Sequence, residues 1–161
     1  MSKEDLILKK LLLFLVVLII VSVVLNVIWE YGQCGMFYSI NGVVSFENYD
    51  LLVARLILDI IITLGTFLLL TLINFEWRWF TDWDSRDTAI IMLFGLLTSF
   101  YVEVNSLMVG RWSYSESMPI LYGTNIGIIS MLQWLILLPL SIYITKYFLR
   151  NKIQSVKRYS F

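Results

Sequence analysis

Residues 11–28 read LLLFLVVLIIVSVVLNVI, an apolar run broken only by Ser22 and Asn26. A helix rises about 1.5 Å per residue and the hydrocarbon core of a bilayer is about 30 Å thick, so about 20 mostly apolar residues are needed to cross it. With its flanks the run extends from Leu8 to Glu30 and meets that length. Three more segments do the same: Leu51 to Asn74, Thr88 to Val109 and Tyr122 to Phe148. The first could be mistaken for a secretory signal, because Lys9 and Lys10 precede it. Its apolar stretch is too long for that, and no small-x-small cleavage site follows, so a retained helix is expected. The expected fold is all-α, an integral membrane four-helix bundle forming one transmembrane domain over residues 1–161. The intervening connections are too short to hold a soluble domain.

Composition agrees with this reading. Of 161 residues 59% are hydrophobic and 15% charged, where a soluble domain carries about 25% charged residues. Mean hydropathy is +0.80. A water-soluble enzyme is thereby excluded, and 12 basic residues against 12 acidic ones give no basic grip on nucleic acid. Histidine is absent, removing the commonest metal ligand and the usual proton shuttle at neutral pH. The single cysteine, Cys34, has no partner for an intramolecular disulfide; it reads as an unreactive interfacial thiol. No metal-ligand spacing, nucleotide-binding glycine loop or serine-based catalytic motif is present, and the residues call for no cofactor.

Short basic flanks stay on the cytoplasmic side of a membrane. Lys3, Lys9 and Lys10 precede the first helix, Arg78 and Arg86 lie between the second and third, and Lys146, Arg150, Lys152, Lys157 and Arg158 end the chain. Both termini are therefore expected in the cytoplasm, with only Arg55 and Arg111 toward the other side. The inner hairpin interleaves Trp77, Trp79 and Trp83 with charges, as an aromatic belt at headgroup level would. Pro139 is expected to kink the fourth helix, and Gly65, Gly95 and Gly127 to mark close helix contacts.

Ionisable groups inside a bilayer are costly and usually face the bundle interior. Asn26, Glu30 and Gln33 follow one another at helical spacing and share a face; Arg55 and Asp59 stand one turn apart and can pair. Glu103 lies about two turns before the outer end of the third helix, with Ser99 and Ser106 on its face and Tyr101 and Asn105 on a neighbouring one. Arg111, Trp112 and Tyr114 come next, and Tyr122 and Asn125 open the fourth segment. With both termini inside, all these groups fall in the outer half. The inner half of the first helix, Leu11 to Ile20, has no polar side chain.

Such pairs can serve as glue between helices, and intramembrane hydrogen bonds are worth only about 0.6 to 2 kcal/mol. Three carboxylates against one or two arginines at one depth favour a functional pocket instead, because an uncompensated buried carboxylate must take up a proton or a cation. Gln133 and Trp134, deeper in the fourth segment, read as structural. Six acids, Glu30, Glu47, Asp50, Asp59, Glu103 and Glu116, face only Arg55 and Arg111 in the outer half, so a zero net charge conceals an electronegative outer face.

With no histidine, acid–base work falls to Glu103, Glu30 and Asp59 as candidate catalytic residues. Asn26, Gln33, Arg55, Tyr101, Asn105, Arg111, Trp112, Tyr114 and Asn125 are the candidate ligand-binding residues. Arg55 or Arg111 can grip a phosphate or carboxylate headgroup in a fork; Trp29, Tyr101, Trp112 and Tyr114 offer aromatic faces for cations. Three functions fit. The first is an acid–base enzyme acting on a membrane lipid or isoprenoid, of isomerase, hydratase or cyclase type, with Glu103 and Glu30 as proton donor and acceptor. The second is a proton- or cation-coupled transporter or channel subunit, which would need a polar route through the inner half and an oligomer. The third is a binding or accessory protein docked on another membrane protein through the outer pocket or the first loop, Tyr31 to Asp50.

The motif Asn26-x-x-Trp-Glu30-x-x-Gln33, with Tyr38 following, and the stretch Glu103-x6-Gly110-Arg-Trp-x-Tyr114-x3-Met118-Pro119 through Leu132-Gln-Trp134 resemble those of a group of small bacterial integral membrane proteins. The resemblance covers about half the chain. It departs from the group's pattern after Gln33, where Cys34-Gly35 stands in place of a proline, and around Ser130, where another proline is expected. It implies a multi-pass protein of a bacterial plasma membrane and carries no activity with it. The set of intramembrane carboxylates and tryptophans is also similar to the emopamil-binding, sterol-isomerase type of four-helix domain, from which the lack of histidine sets it apart.

Overall fold

The structure, a computed structural model, describes residues 3–39, 49–76 and 79–157. Glu47, Trp77, Arg78 and Arg158 lie outside the described residues, as do the side chains of Lys3, Cys34, Asp50, Lys152 and Lys157. Four long helices make up the chain: α1 (Lys3–Phe37), α2 (Tyr49–Asn74), α3 (Ser85–Met108) and α4 (Ile128–Lys157). Each contains a stretch long and apolar enough to cross a membrane: Leu8–Gln33, Val53–Asn74, Ser85–Met108 and Ile128–Arg150. The fold is that of an all-α, multi-pass membrane protein. α4 packs along both α1 and α3, and α1 along α2, while α2 and α3 meet over the slightest seam of these neighbouring pairs.

The buried stripe of α1 is Phe14, Leu18, Ser22, Asn26, Glu30 and Gln33, one residue per turn. Leu12, Val16, Ile20, Val24 and Ile28, on other faces, are exposed. Apolar residues outside and polar ones inside are what lipid rewards, since tails are as apolar as leucine and only packing and hydrogen bonds distinguish an interior. The stripe changes character along its length, from aromatic and aliphatic to hydroxyl, amide and carboxylate. α3 repeats the pattern with Ile91, Gly95, Ser99, Glu103 and Ser106.

At the apolar end Phe14 stacks on Phe80 with centroids 4.0 Å apart, and Phe67 lies within 5.9 Å of Phe14 and 5.6 Å of Trp79. Phe80 and Trp79 come from a short 3-10 turn, Trp79–Thr81, in the α2–α3 connection. Here the aromatic-belt expectation is corrected for Trp79: it is buried, and its indole N–H donates to Thr71 Oγ1 at 3.2 Å. The connection folds back into the bundle because Asp84 caps α3, accepting from the Asp87 amide at 2.9 Å. Asn74 at the end of α2 donates to Asp87 Oδ1 at 3.1 Å, and Arg86 donates to Asn74. Trp83 is partly buried beneath Lys146, whose Nζ lies 5.9 Å from its ring centroid.

The opposite end is closed by a two-stranded antiparallel clasp. β1 (Tyr38–Ser39) pairs with β2 (Ser113–Tyr114), matching Tyr38 with Tyr114 and Ser39 with Ser113. Two expectations fail here. The first helix runs on to Phe37, through Cys34 and Gly35, shortening the first loop. The fourth begins at Ile128 rather than Tyr122, because the chain first makes a turn: Leu121 N–H donates to the Ile126 carbonyl at 2.8 Å and Ile128 N–H to that of Pro119 at 2.9 Å, with Gly123 at φ +76°. Pro139 stands inside α4, which is helical on both sides of it. Gly95 and Gly127 do mark close approaches: a Cβ on Gly95 would come within 2.9 Å of the Trp134 carbonyl, and one on Gly127 would strike Met118. Gly65 does not, having nothing within 4 Å.

Candidate functional site

Glu30 of α1, buried completely, is the hub of one half of the polar core. Its Oε1 accepts from Arg55 Nη2 of α2 at 2.9 Å and from Gln133 Nε2 of α4, also at 2.9 Å. Gln133 donates as well to Asn26 Oδ1 at 3.1 Å. Asn26 in turn donates to the Ser22 carbonyl at 2.9 Å, and Ser22 Oγ lies 2.8 Å from Thr63 Oγ1 on α2. Amides bridge well here because each offers donors and an acceptor at once.

Glu103 of α3 is the hub of the other half. Its Oε1 accepts from the Tyr38 hydroxyl at 3.3 Å; its Oε2 accepts from Trp112 Nε1 at 3.3 Å and the Tyr114 hydroxyl at 2.5 Å. Donors converging on both oxygens suit a carboxylate, which only accepts. Burial pushes the Tyr38 and Tyr114 hydroxyls well above the ordinary phenol value, and the neighbouring Glu103 raises both further; Arg55 opposes this at Tyr38. Both phenols thus remain proton donors. Having given its one proton to Glu103, the Tyr38 oxygen accepts from Ser130 Oγ at 2.5 Å and from Gln33 Nε2 at 3.1 Å. The clasp is what delivers Tyr38 and Tyr114 to Glu103 from distant parts of the chain.

Asp59 of α2 lies between the two halves and is 4% exposed. Its Oδ1 accepts from Trp134 Nε1 at 2.7 Å, while its Oδ2 has no hydrogen-bonding partner. The expected pairing of Arg55 with Asp59 is superseded by a bridge between helices: Arg55 closes on Glu30. Its guanidinium carbon lies 4.6 Å from the Tyr38 ring centroid and 5.1 Å from that of Trp112. Its Nη2 is thereby committed to protein groups, while Nη1, also buried, has no hydrogen-bonding partner.

A cavity of about 20 Å³ lies among these residues, bounded by Glu30, Asp59, Glu103, Arg55 and the indoles of Trp112 and Trp134. Such a volume has room for about one or two water molecules. Leu58 of α2 and Val102 of α3, both partly buried, also line it. The clasp closes it on one side and the Phe14 cluster packs the bundle on the other.

Of the residues chosen from the sequence, Glu30, Asp59, Glu103, Asn26, Gln33, Arg55, Trp112 and Tyr114 come together in this network. Tyr101 does not: it is two residues from Glu103, about 200° around the helix, and is 69% exposed. Asn105 is partly buried and outside the cavity lining. Arg111 and Asn125 are exposed, in the connections before and after β2. The three carboxylates therefore share one arginine among the described residues. Gln133 and Trp134, read from sequence as structural, bind Glu30 and Asp59 directly. Tyr38 and Ser130 also belong. Gln133 could have been found from its spacing after Ser130 on the buried stripe of α4; Tyr38 gives no helical-register signal, because a strand places it.

Compared with protein-family models, with curated proteins and with solved structures, the chain matches none. The motif resemblance to small bacterial membrane proteins therefore rests on those motifs alone.

Proposed function

We propose that this protein takes the polar end of a membrane lipid or isoprenoid into the carboxylate site through the α2–α3 seam and performs acid–base chemistry on it. The observation that carries the reading is the position of the cavity: three carboxylates and one arginine line it, the clasp covers it, an aromatic cluster underlies it, and the loosest helix seam flanks it. Access from the lipid side is then the short route, with Leu58 and Val102 at its mouth. The small volume means that only a polar tip or a reacting bond enters, the chain staying among the lipid tails. Glu103, accepting from three neutral donors, is the proton acceptor rather than the donor expected from the sequence; Asp59, whose Oδ2 lacks a hydrogen-bonding partner, is offered to the incoming group; Glu30 and Arg55 fix the local field. The distribution of basic residues supports placing this end on the extracytoplasmic side of a bacterial plasma membrane.

Transport ranks below this, because conduction needs a polar path through the half of the bundle occupied by Phe14, Phe67, Leu70 and Phe80. The test is lipid profiling of a strain lacking the gene and complemented with wild type or Glu103→Gln. Wild type should restore a lipid species that Glu103→Gln does not. Equal restoration by both would sink the acid–base assignment.

A further inference from the structure

The chemistry of the ligand's polar end can be narrowed, an inference resting on the lipid-site reading above. A phosphate is the obvious guess for a site containing arginine. However, Arg55 Nη2 is engaged by Glu30 and Tyr38 and the guanidinium lies against two aromatic rings, which leaves only Nη1, a buried donor without a hydrogen-bonding partner, to meet an anion. Two further carboxylates line the same small space, so an arriving anion would meet acids in excess of base. An independent observation points the other way. Asp59 Oδ2 is a buried acceptor without a donor in a residue only 4% exposed, and Asp59 lines the cavity. Leaving such an oxygen unmatched is costly in a low-dielectric interior, so it calls for a proton of its own or a donor from outside the chain.

We infer that the site receives a single primary ammonium group, docked on Asp59 Oδ2. An ammonium is water-sized and fits the cavity of about 20 Å³. It carries three donors and no acceptor, which matches a lining rich in carboxylates, with Ser99 and Ser130 also on the wall. Trp112 and Trp134 also line the cavity, their indole N–H groups donating to Glu103 and Asp59. One positive charge also offsets part of the excess of acids over base. The amine can belong to a lipid headgroup reaching in through the seam or to a small soluble amine.

The experiment uses the full-length protein reconstituted in nanodiscs of phosphatidylcholine doped with either phosphatidylethanolamine or phosphatidylglycerol, with retained lipid counted by native mass spectrometry. Phosphatidylethanolamine should be retained at least tenfold over phosphatidylglycerol, and Asp59→Asn should remove the preference. Protection against thermal unfolding by soluble ethanolamine, in detergent without aminolipid, would support the docking and name a free amine as a source. Equal retention of both lipids together with no effect of ethanolamine would overturn the inference, as would a preference that survives Asp59→Asn. Should Asp59→Asn fail to fold, Val102→Trp gives a second reading: by filling the seam it should lower retention of phosphatidylethanolamine while ethanolamine still protects, and loss of neither signal would count against the site. This assay involves no turnover. If amine selectivity is absent yet Glu103→Gln abolishes the lipid product, the ammonium assignment alone falls; if selectivity is present yet the lipid profile is indifferent to Glu103, the acid–base reading alone falls.

Discussion

The two ends of the bundle are built from the same four helices on different physical terms. Around Phe14, Phe67, Trp79 and Phe80 the interior is aromatic and filled, and its stability comes from shape. Around Glu30, Asp59 and Glu103 the interior is a hydrogen-bonded network with a small void, in which each group depends on a partner from another helix. Removing atoms from the first end leaves a hole. Removing a partner from the second leaves a buried charge, which costs more.

That difference orders the expected effects of substitution. Arg55→Met strands Glu30 and should lower stability by about 3–5 kcal/mol, measured by thermal or denaturant unfolding in detergent; adding Glu30→Gln should recover most of the loss. If the double variant is no better than the single, Glu30 is not charged against Arg55 and the contrast between the ends fails. Phe14→Ala removes the ring that stacks on Phe80 and should cost about 3 kcal/mol, while leaving the lipid phenotype of the surviving protein intact. A change in that phenotype at unchanged protein level would mean that the apolar end takes part in the function.

Gly95 tests the coupling between the ends, since it is where α3 meets the backbone of α4 beside Trp134. A Cβ there is 2.9 Å from the Trp134 carbonyl, so Gly95→Ala should cost about 1–3 kcal/mol by overpacking and disturb the Asp59–Trp134 bond. Gly65→Ala, with open space around it, should be neutral or stabilising by about 0.5–1 kcal/mol. A small effect is also expected at Tyr38. Tyr38→Phe removes one donor from Glu103, worth about 1 kcal/mol. It should also alter the alkaline limb of the stability profile. Burial raises the Tyr38 hydroxyl above its unfolded value of 10.0, so stability is complete below that pH and falls as pH rises past it, when the unfolded phenol ionises and the buried one does not. The variant should fall less steeply above about pH 10; an identical slope would show that the hydroxyl is hydrated in the native protein.

Much of the polar end was legible along single helices. Asn26, Glu30 and Gln33 announce a face because polar residues in an apolar run have one favourable direction, and Arg55, Asp59 and Glu103 announce a depth for the same reason. Trp79 departs from the belt expectation because a tryptophan at a membrane boundary looks the same in sequence whether it rests at the headgroups or turns inward; the Asp84 cap and the Asn74–Asp87 bond direct this one inward. Tyr101, Asn105, Arg111 and Asn125 lie outside the cavity lining because proximity along the chain is not proximity in space.

By itself the sequence determined the four crossings, their apolar outer surface and the placement of Glu30, Asp59 and Glu103 at one depth. These follow from transfer energies, which depend on residue type and position along a helix and need no knowledge of neighbours. Tertiary structure alone decided that Arg55 serves Glu30 rather than Asp59, that Gln133 and Trp134 reach across from α4, and that a two-residue clasp brings Tyr38 and Tyr114 to Glu103. Those choices depend on helix rotation, on the close approach allowed at Gly95 and on the register of β1 against β2, and hydrogen bonds discriminate between such alternatives only at separations of about 3 Å.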